Sequence, residues 1–207
     1  MSDNMRRILD ASVELIAEKG VRAVSFREVS RRAGVSHQAP YHYYENYQGI
    51  LRAIAHEGFA GLASKMKRGA EQAGSDPIDR LQEAGIGYVA FALTHVGHFR
   101  VMFESSEVDI WDESEPVDEA SDAYGVVLAL ATQCHSDGYA TFFPTGEHLA
   151  RLCWACVHGI ATLLVEGAIT RGQENAYITE AVITKEVVDG LGELIRCSRG
   201  IGARTKN

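Results

Sequence analysis

Residues 25–47 read SFREVSRRAGVSHQAPYHYYENY, which crowds four tyrosines, two histidines and a glutamine into one short segment. These side chains carry hydrogen-bonding edges of several kinds. Gln38 offers a paired donor and acceptor that suits an adenine edge, His37 can donate to guanine, and the Ala39 methyl can touch a thymine methyl. Ser25, Arg27, Tyr41, Tyr43 and Tyr47 offer hydroxyls or a guanidinium to phosphate oxygens. Ser36 and His42 complete this candidate set, and the amides at the start of a helix opening near Tyr47 add a favourable dipole. Tyr44 falls where an inward anchor is needed and is assigned to the core.

Short helices must present such a set. Ile8, Ala11, Ser12, Leu15 and Ile16 follow one helical face and Gly20 is a stop signal, which predicts a helix over about 4–19. Ser25-x-x-Glu28 is a capping box, in which hydroxyl and carboxylate each satisfy an orphan amide. Phe26, Val29 and Ala33 are its inner face and Gly34 its end. Ser36 is expected to cap a third helix, with Pro40 at the fourth position costing one first-turn bond. Three helices with a tight turn between the last two make a helix-turn-helix over 25–44, whose last helix fits a DNA major groove.

The rest of the 207-residue chain bounds the reading. Apolar residues make up 46% and charged residues 23%, enough for a real core and too little charge for disorder. The net charge of −8 is uneven: residues 1–55 hold 8 Lys and Arg against 6 Asp and Glu, the remainder 12 against 22. A mildly basic end on an acidic body allows nucleic acid to be met by that end alone. No secretory signal and no continuous apolar run of membrane-spanning length is apparent; the richest stretch, Leu152 to Val165, holds His158. A soluble, cytoplasmic protein is expected, with no membrane partner.

Further helices are predicted over about 47–69, 78–104, 119–137, 146–170 and 184–197. An acidic irregular segment lies at 105–118 and a fraying tail follows 197. No segment alternates with period two, so the expected fold is all-α. It comprises a three-helix helix-turn-helix domain at 2–62 and a larger helical effector-binding and dimerisation domain at 76–200. Cys153 and Cys156 form a CxxC inside an apolar helical run, where two small buried hydrophobes one turn apart are the expected reading. No metal set and no cofactor are expected, and whether Cys134, Cys153, Cys156 or Cys197 senses redox or metal is left open. No Ser or Cys nucleophile has an activating context and no glycine-rich phosphate loop occurs, so an enzyme is not expected.

The first sixty residues resemble the DNA-binding domain of the TetR family of bacterial regulators. Ile8-Leu9, Ala11, Gly20, SFREVSRRAGVS, Ala39-x-Tyr41, Tyr43-Tyr44 and Ile50-Leu51 carry the resemblance. Three positions depart from the usual pattern: Gln38 where glycine is frequent, Tyr43-Tyr44 for a His-Phe pair, and Tyr47 for a lysine. Tyrosines bring no charge to phosphate, so a shallow salt dependence is expected. Tyr88-x-x-Phe91-Ala92, Met102-Phe103 and Trp154-x-x-x-His158-Gly159 are similar to the branch with a C-terminal Trp-His-Gly domain.

That resemblance implies a homodimer through the last two long helices, and a small-molecule effector of unstated identity in a cavity. The cavity would be lined by Tyr88, Phe91, Ala92, His95, Phe99, Leu128, Trp154 and His158, any of which can equally be plain core. A lone histidine on an apolar helix such as His158 is more often bonded to a backbone carbonyl in the core. Dimerisation also follows physically, since one short recognition helix reads few base pairs and two on a twofold axis read a palindromic operator in double-stranded DNA. The expected function is transcriptional repression relieved by the effector. The alternatives are activation, or an interaction module whose helix-turn-helix no longer binds DNA.

Overall fold

The computed structural model describes residues 2–103, 118–170 and 179–199. The expected acidic segment at 105–118 falls almost wholly outside them, as do most of the expected C-terminal tail and part of the link that precedes the last helix. Among the described residues there are nine α-helices and no strand: α1 Asp3–Lys19, α2 Phe26–Ala33, α3 Ala39–Tyr43, α4 Tyr47–Gln72, α5 Pro77–Thr94, α6 Val96–Phe103, α7 Asp118–Ser136, α8 Gly146–Val165 and α9 Glu180–Cys197. A 3-10 turn over Val21–Ala23, which the sequence did not suggest, joins α1 to α2. The chain divides into two compact units, Met1–Ala60 with His95–Ala120, and Gly61–Thr94 with Ser121–Asn207.

In the first unit the expected face of α1 is buried: Ile8, Leu9, Ala11, Leu15 and Ile16 pack with Val29 and Ala33 of α2 and Ile50, Leu51 and Ile54 of α4. Removing each such valine, leucine or isoleucine side chain from water contributes about 1.5–3 kcal/mol. Ser12 is buried among them and returns its hydroxyl proton to the Ile8 carbonyl at 2.8 Å. The Ser25 hydroxyl accepts from the Glu28 amide as the capping box requires, at 3.4 Å. The Glu28 carboxylate, expected to return to the Ser25 amide, pairs instead with Lys19 of α1. A charged partner on a neighbouring helix outcompetes the exposed amide.

The long helix expected over 78–104 is two. The Thr94 hydroxyl takes the Ala90 carbonyl at 2.7 Å, closing α5, and the His95 carbonyl accepts from the Phe99 amide at 2.9 Å, opening α6. Tertiary contact explains where α6 goes. A β-carbon on Gly97 would collide with the Val13 carbonyl, so only glycine allows α6 this close to α1. Arg100 then reaches the carbonyls of Ala17 and Ile16 at 2.9 and 3.3 Å, completing the C-terminal end of α1.

In the second unit α5 lies against α8 and α9. Asp76 opens α5, its carboxylate accepting from the amides of Ile78 and Asp79 at 2.8 and 3.1 Å, with Pro77 at the first position. Arg196 of α9 pairs with Asp76 at 3.2 Å and also with Asp79. Helix α8 is long and apolar enough by composition to cross a membrane. Here it buries Leu149, Ala150, Cys153, Val157, Ile160, Ala161 and Leu164 and carries the exposed Glu147–Arg151 ion pair, the pattern of a core helix.

Candidate nucleic-acid interface

The turn between α2 and α3 is built from α2 outward. Gly34 ends α2 with φ 64°, a left-handed conformation that glycine adopts without cost. Its amide reaches the Arg31 carbonyl at 3.4 Å and the Val35 amide reaches the Ser30 carbonyl at 3.1 Å, the paired bonds of a Schellman motif. Arg7 of α1 donates to the carbonyls of Ala33 and Gly34 at 2.6 and 3.4 Å, tying the turn to the bundle. Arg7 was not among the expected site residues, and nothing in its spacing marks it.

Helix α3 begins at Ala39 and not after Ser36 as expected. A helix capped by Ser36 must bond the Ser36 carbonyl to the amide of residue 40, and Pro40 has none. The Ala39 amide takes that carbonyl instead, at 3.0 Å, closing a turn that holds His37 and Gln38. Both side chains are exposed at the mouth of α3, and Tyr41, His42 and Tyr43 are exposed along it. Tyr41 is 58% exposed and leans edge-on against Phe26, ring centroids 4.7 Å apart. Phe26, expected inward, is therefore half-buried and supports this tyrosine.

Two expected contacts change role. Ala39 is buried with the core, so its methyl is turned away from any base edge. The Tyr47 hydroxyl donates its one proton to the Val21 carbonyl at 3.0 Å, and its ring lies edge-on to Phe26 at 6.3 Å. This tyrosine fastens α4 to the turn after α1. Tyr44 is inward, as expected, and its hydroxyl is buried with no hydrogen-bond partner among the described residues.

Charge on this face comes from few residues. Arg6, Lys19 and Arg32 are engaged in ion pairs with acidic side chains, and Arg7 with carbonyls. Arg27 is exposed and makes no ion pair among the described residues, and Arg31, one helical turn on, only approaches Glu28 at 4.0 Å. Ser25, Arg27, Glu28, Arg31, Val35 and His37 line one concavity of about 460 Å³. Arg31 is a contact candidate that the sequence reading passed over, although its four-residue spacing from Arg27 puts both on one helix face.

In the second unit Tyr88 of α5 is fully buried, with its hydroxyl 2.9 Å from Nδ1 of His158 on α8. Burial raises the Tyr88 value far above the ordinary tyrosine range and lowers that of His158, so a neutral hydroxyl donates to a neutral imidazole. At Nδ1, His158 meets a side-chain hydroxyl. Trp154 stands edge-on to Tyr88 at 5.1 Å and to Tyr124 of α7 at 5.6 Å. Phe91 and Ala92 are buried and Leu128 half-buried in the same unit, whereas His95 and Phe99 belong to the first unit. Cys134 and Cys153 are buried, their thiols pushed up to about 12 by desolvation, the opposite of a reactive thiolate. Among the described residues no group of three or more His, Cys, Asp or Glu is placed to hold a metal ion.

The fold and this face define a helix-turn-helix DNA-binding protein with an additional helical domain. Residues 8–54 match the bacterial regulatory proteins of the tetR family, and residues 81–185 match the tetracyclin repressor-like C-terminal domain. The chain belongs to the TetR family and is a helix-turn-helix transcriptional regulator. The Trp-His-Gly branch remains a resemblance of residues 154–159.

A curated relative, the uncharacterized HTH-type transcriptional regulator YobS of Bacillus subtilis, is 25% identical over 170 residues, 82% of this chain and 83% of that protein. A second, YvkB of the same organism, is 35% identical over 54 residues, 26% of this chain and 29% of that protein. Among solved structures, a protein of unknown function from Rhodococcus sp. RHA1 superposes with TM-score 0.73 at 24% identity, over 94% of this chain and 96% of that one. FadR of Bacillus subtilis, solved in complex with stearoyl-CoA, superposes with TM-score 0.73 at 15% identity, over 92% and 99% of the two chains. At these identities the structural likeness speaks for the fold.

Proposed function

We propose that the protein is a cytoplasmic, non-enzymatic repressor that grips a palindromic operator as a homodimer and lets go when a small molecule binds its second domain. The carrying observation is the exposed row of His37, Gln38, Tyr41, His42 and Tyr43 beside the free Arg27. Gln38 and His37 read base edges, while Arg27, Arg31, Ser25, Ser36, Tyr41 and Tyr43 hold phosphate. The DNA-contacting domain is taken as 2–62 and the effector and dimer domain as 76–200.

Dimerisation is supported by apolar side chains left at the surface of α8 and α9: Leu152, Leu163, Val182, Val187 and Leu194, the last 72% exposed, with Phe142 beside them. Effector binding is supported by the half-buried Tyr88–His158 pair with Trp154, a polar pair that can orient a ligand. The complex of FadR with stearoyl-CoA gives a structural neighbour with a bound small molecule. The test is a gel shift with the DNA upstream of the protein's own gene. Gln38→Ala should weaken binding by about 1–3 kcal/mol and relax preference at one base position. Equal operator binding by variant and parent would sink the base-reading assignment, and no shift at low salt would favour an interaction module that does not bind DNA.

A further inference from the structure

His98 is the buried centre of a charge cluster that joins three helices of the first unit. Arg6 of α1 holds the Glu57 carboxylate of α4 with two hydrogen bonds, at 2.6 and 3.1 Å, and reaches Asp10 with the same guanidinium. His98 of α6 offers Nε2 to the same carboxylate at 3.3 Å. Its Nδ1 is buried and has no hydrogen-bond partner among the described residues. His95, the residue just before α6, stands with its ring 5.8 Å away. There is little free space: a β-carbon on Gly58 of α4 would strike Met102 at 2.5 Å and crowd the His98 β-carbon at 3.3 Å. Tyr44, the inward anchor at the end of α3, has its unpartnered hydroxyl within the electrostatic reach of Arg6 and Glu57.

We propose that His98 is a proton-sensitive latch: neutral, it keeps α6 seated on α1 and α4 and the recognition helix in its operator-binding position; protonated, it unseats α6 and weakens operator binding. The proposal rests on the operator-binding reading above and assigns that binding a form of regulation. The neutral ring donates from Nε2 to Glu57 and leaves an acceptor at Nδ1. A proton added at Nδ1 becomes a buried donor with no acceptor, on a cation placed near Arg6 and His95. Glu57 cannot offset this fully, because its charge is already shared with Arg6. Desolvation is the largest influence on His98 and lowers its value, with Arg6 and His95 acting the same way and Glu57 opposing.

The sign follows from linkage. A group held below its ordinary value favours the latched form above that value, about 6.5 for histidine, and this advantage is lost as pH falls towards the lowered one. Operator affinity therefore falls with acid, approaching about tenfold per pH unit, the limit for one linked proton.

The experiment measures operator affinity of the full-length protein by fluorescence anisotropy at constant ionic strength, from about pH 8 to about pH 5.5, the range over which histidine titrates. Parent is compared with His98→Gln, whose amide can still donate to Glu57 but does not titrate. Every titrating group other than His98 is common to both proteins and cancels in the ratio of affinities. The expected result is a parent-to-variant ratio that falls about tenfold over the acid limb. A constant or rising ratio overturns the latch alone, whereas absence of operator binding at neutral pH overturns the operator reading with it. Should the variant not fold, the ring resonances of His98 in the parent serve instead. Their pKa is expected to be lower with operator bound than without, and equal values overturn the proposal.

Discussion

A tyrosine has one proton to donate, and where Tyr47 sends it decides what the residue is for. Tyr47 stands where TetR-family patterns suggest a phosphate contact, yet its hydroxyl proton goes to the Val21 carbonyl. Tyr47→Phe is therefore expected to cost about 0.5–1.5 kcal/mol of stability in urea denaturation, with operator affinity unchanged once both proteins are folded. A variant of parental stability that loses operator affinity would restore the phosphate role. Gln38 is the opposite case. It is exposed in the turn before α3 and supports nothing in the fold, so its removal should be felt by DNA and not by stability. Arg27 was recognisable from its type and position, but the engagement of Arg6, Arg7, Lys19 and Arg32 elsewhere depends on partners 9 to 51 residues away in sequence.

For the elements, the decisive piece is the turn that sets α3 against α2. Gly34 in the left-handed region allows the two bonds of the Schellman motif, and Arg7 braces the same turn from α1. Gly34→Ala should destabilise the protein by about 1–2 kcal/mol, the cost of an L side chain in that conformation. An added β-carbon would also lie 2.9 Å from the Arg7 guanidinium and disturb the brace. Gly34→Asn should cost less than Gly34→Ala, since asparagine tolerates left-handed backbone. Urea midpoints in the reverse order would count against this account. The element was legible as SFREVSRRAG because its signals are local, the capping Ser25 and the closing Gly34. The shortened start of α3 was legible too, had the missing amide of Pro40 been carried through to the Ser36 carbonyl.

In the whole molecule, the proposed dimer would bring two recognition helices together through the surface of α8 and α9. Half-sites read by a symmetric dimer lie about 34–36 Å apart, so a monomer engages one at a time. Leu194→Glu places a charge on the most exposed of these apolar side chains. It should halve the mass seen in analytical ultracentrifugation and weaken binding to the full palindrome while leaving helical content unchanged. A dimer that persists would move the interface away from this face. The same surface could be suspected from the apolar run at Leu152–Val165, but that run supplies both a buried face and an exposed one. Only the packing of α5 and α9 divides Val157 and Ile160 from Leu152 and Leu163.

The sequence by itself determined the elements whose signals are local. The buried face of α1, the Ser25 cap, the Gly34 stop, Asp76-Pro77 at the start of α5 and the inward Tyr44 follow from periodicity, capping chemistry and fixed dihedrals within a few residues. It also determined the family, because the motif residues of the helix-turn-helix recur at their own offsets. Tertiary structure decided what depends on partners far along the chain. It broke the expected helix 78–104 at His95, joined α6 to α1 through Gly97 and Arg100, turned Ala39 and Tyr47 to structural work, and gathered Arg6, Glu57 and His98 into one cluster. Local pattern fixes which face of a helix is apolar, but which charges meet across helices, and which histidine is sealed from water, is set only when the helices pack.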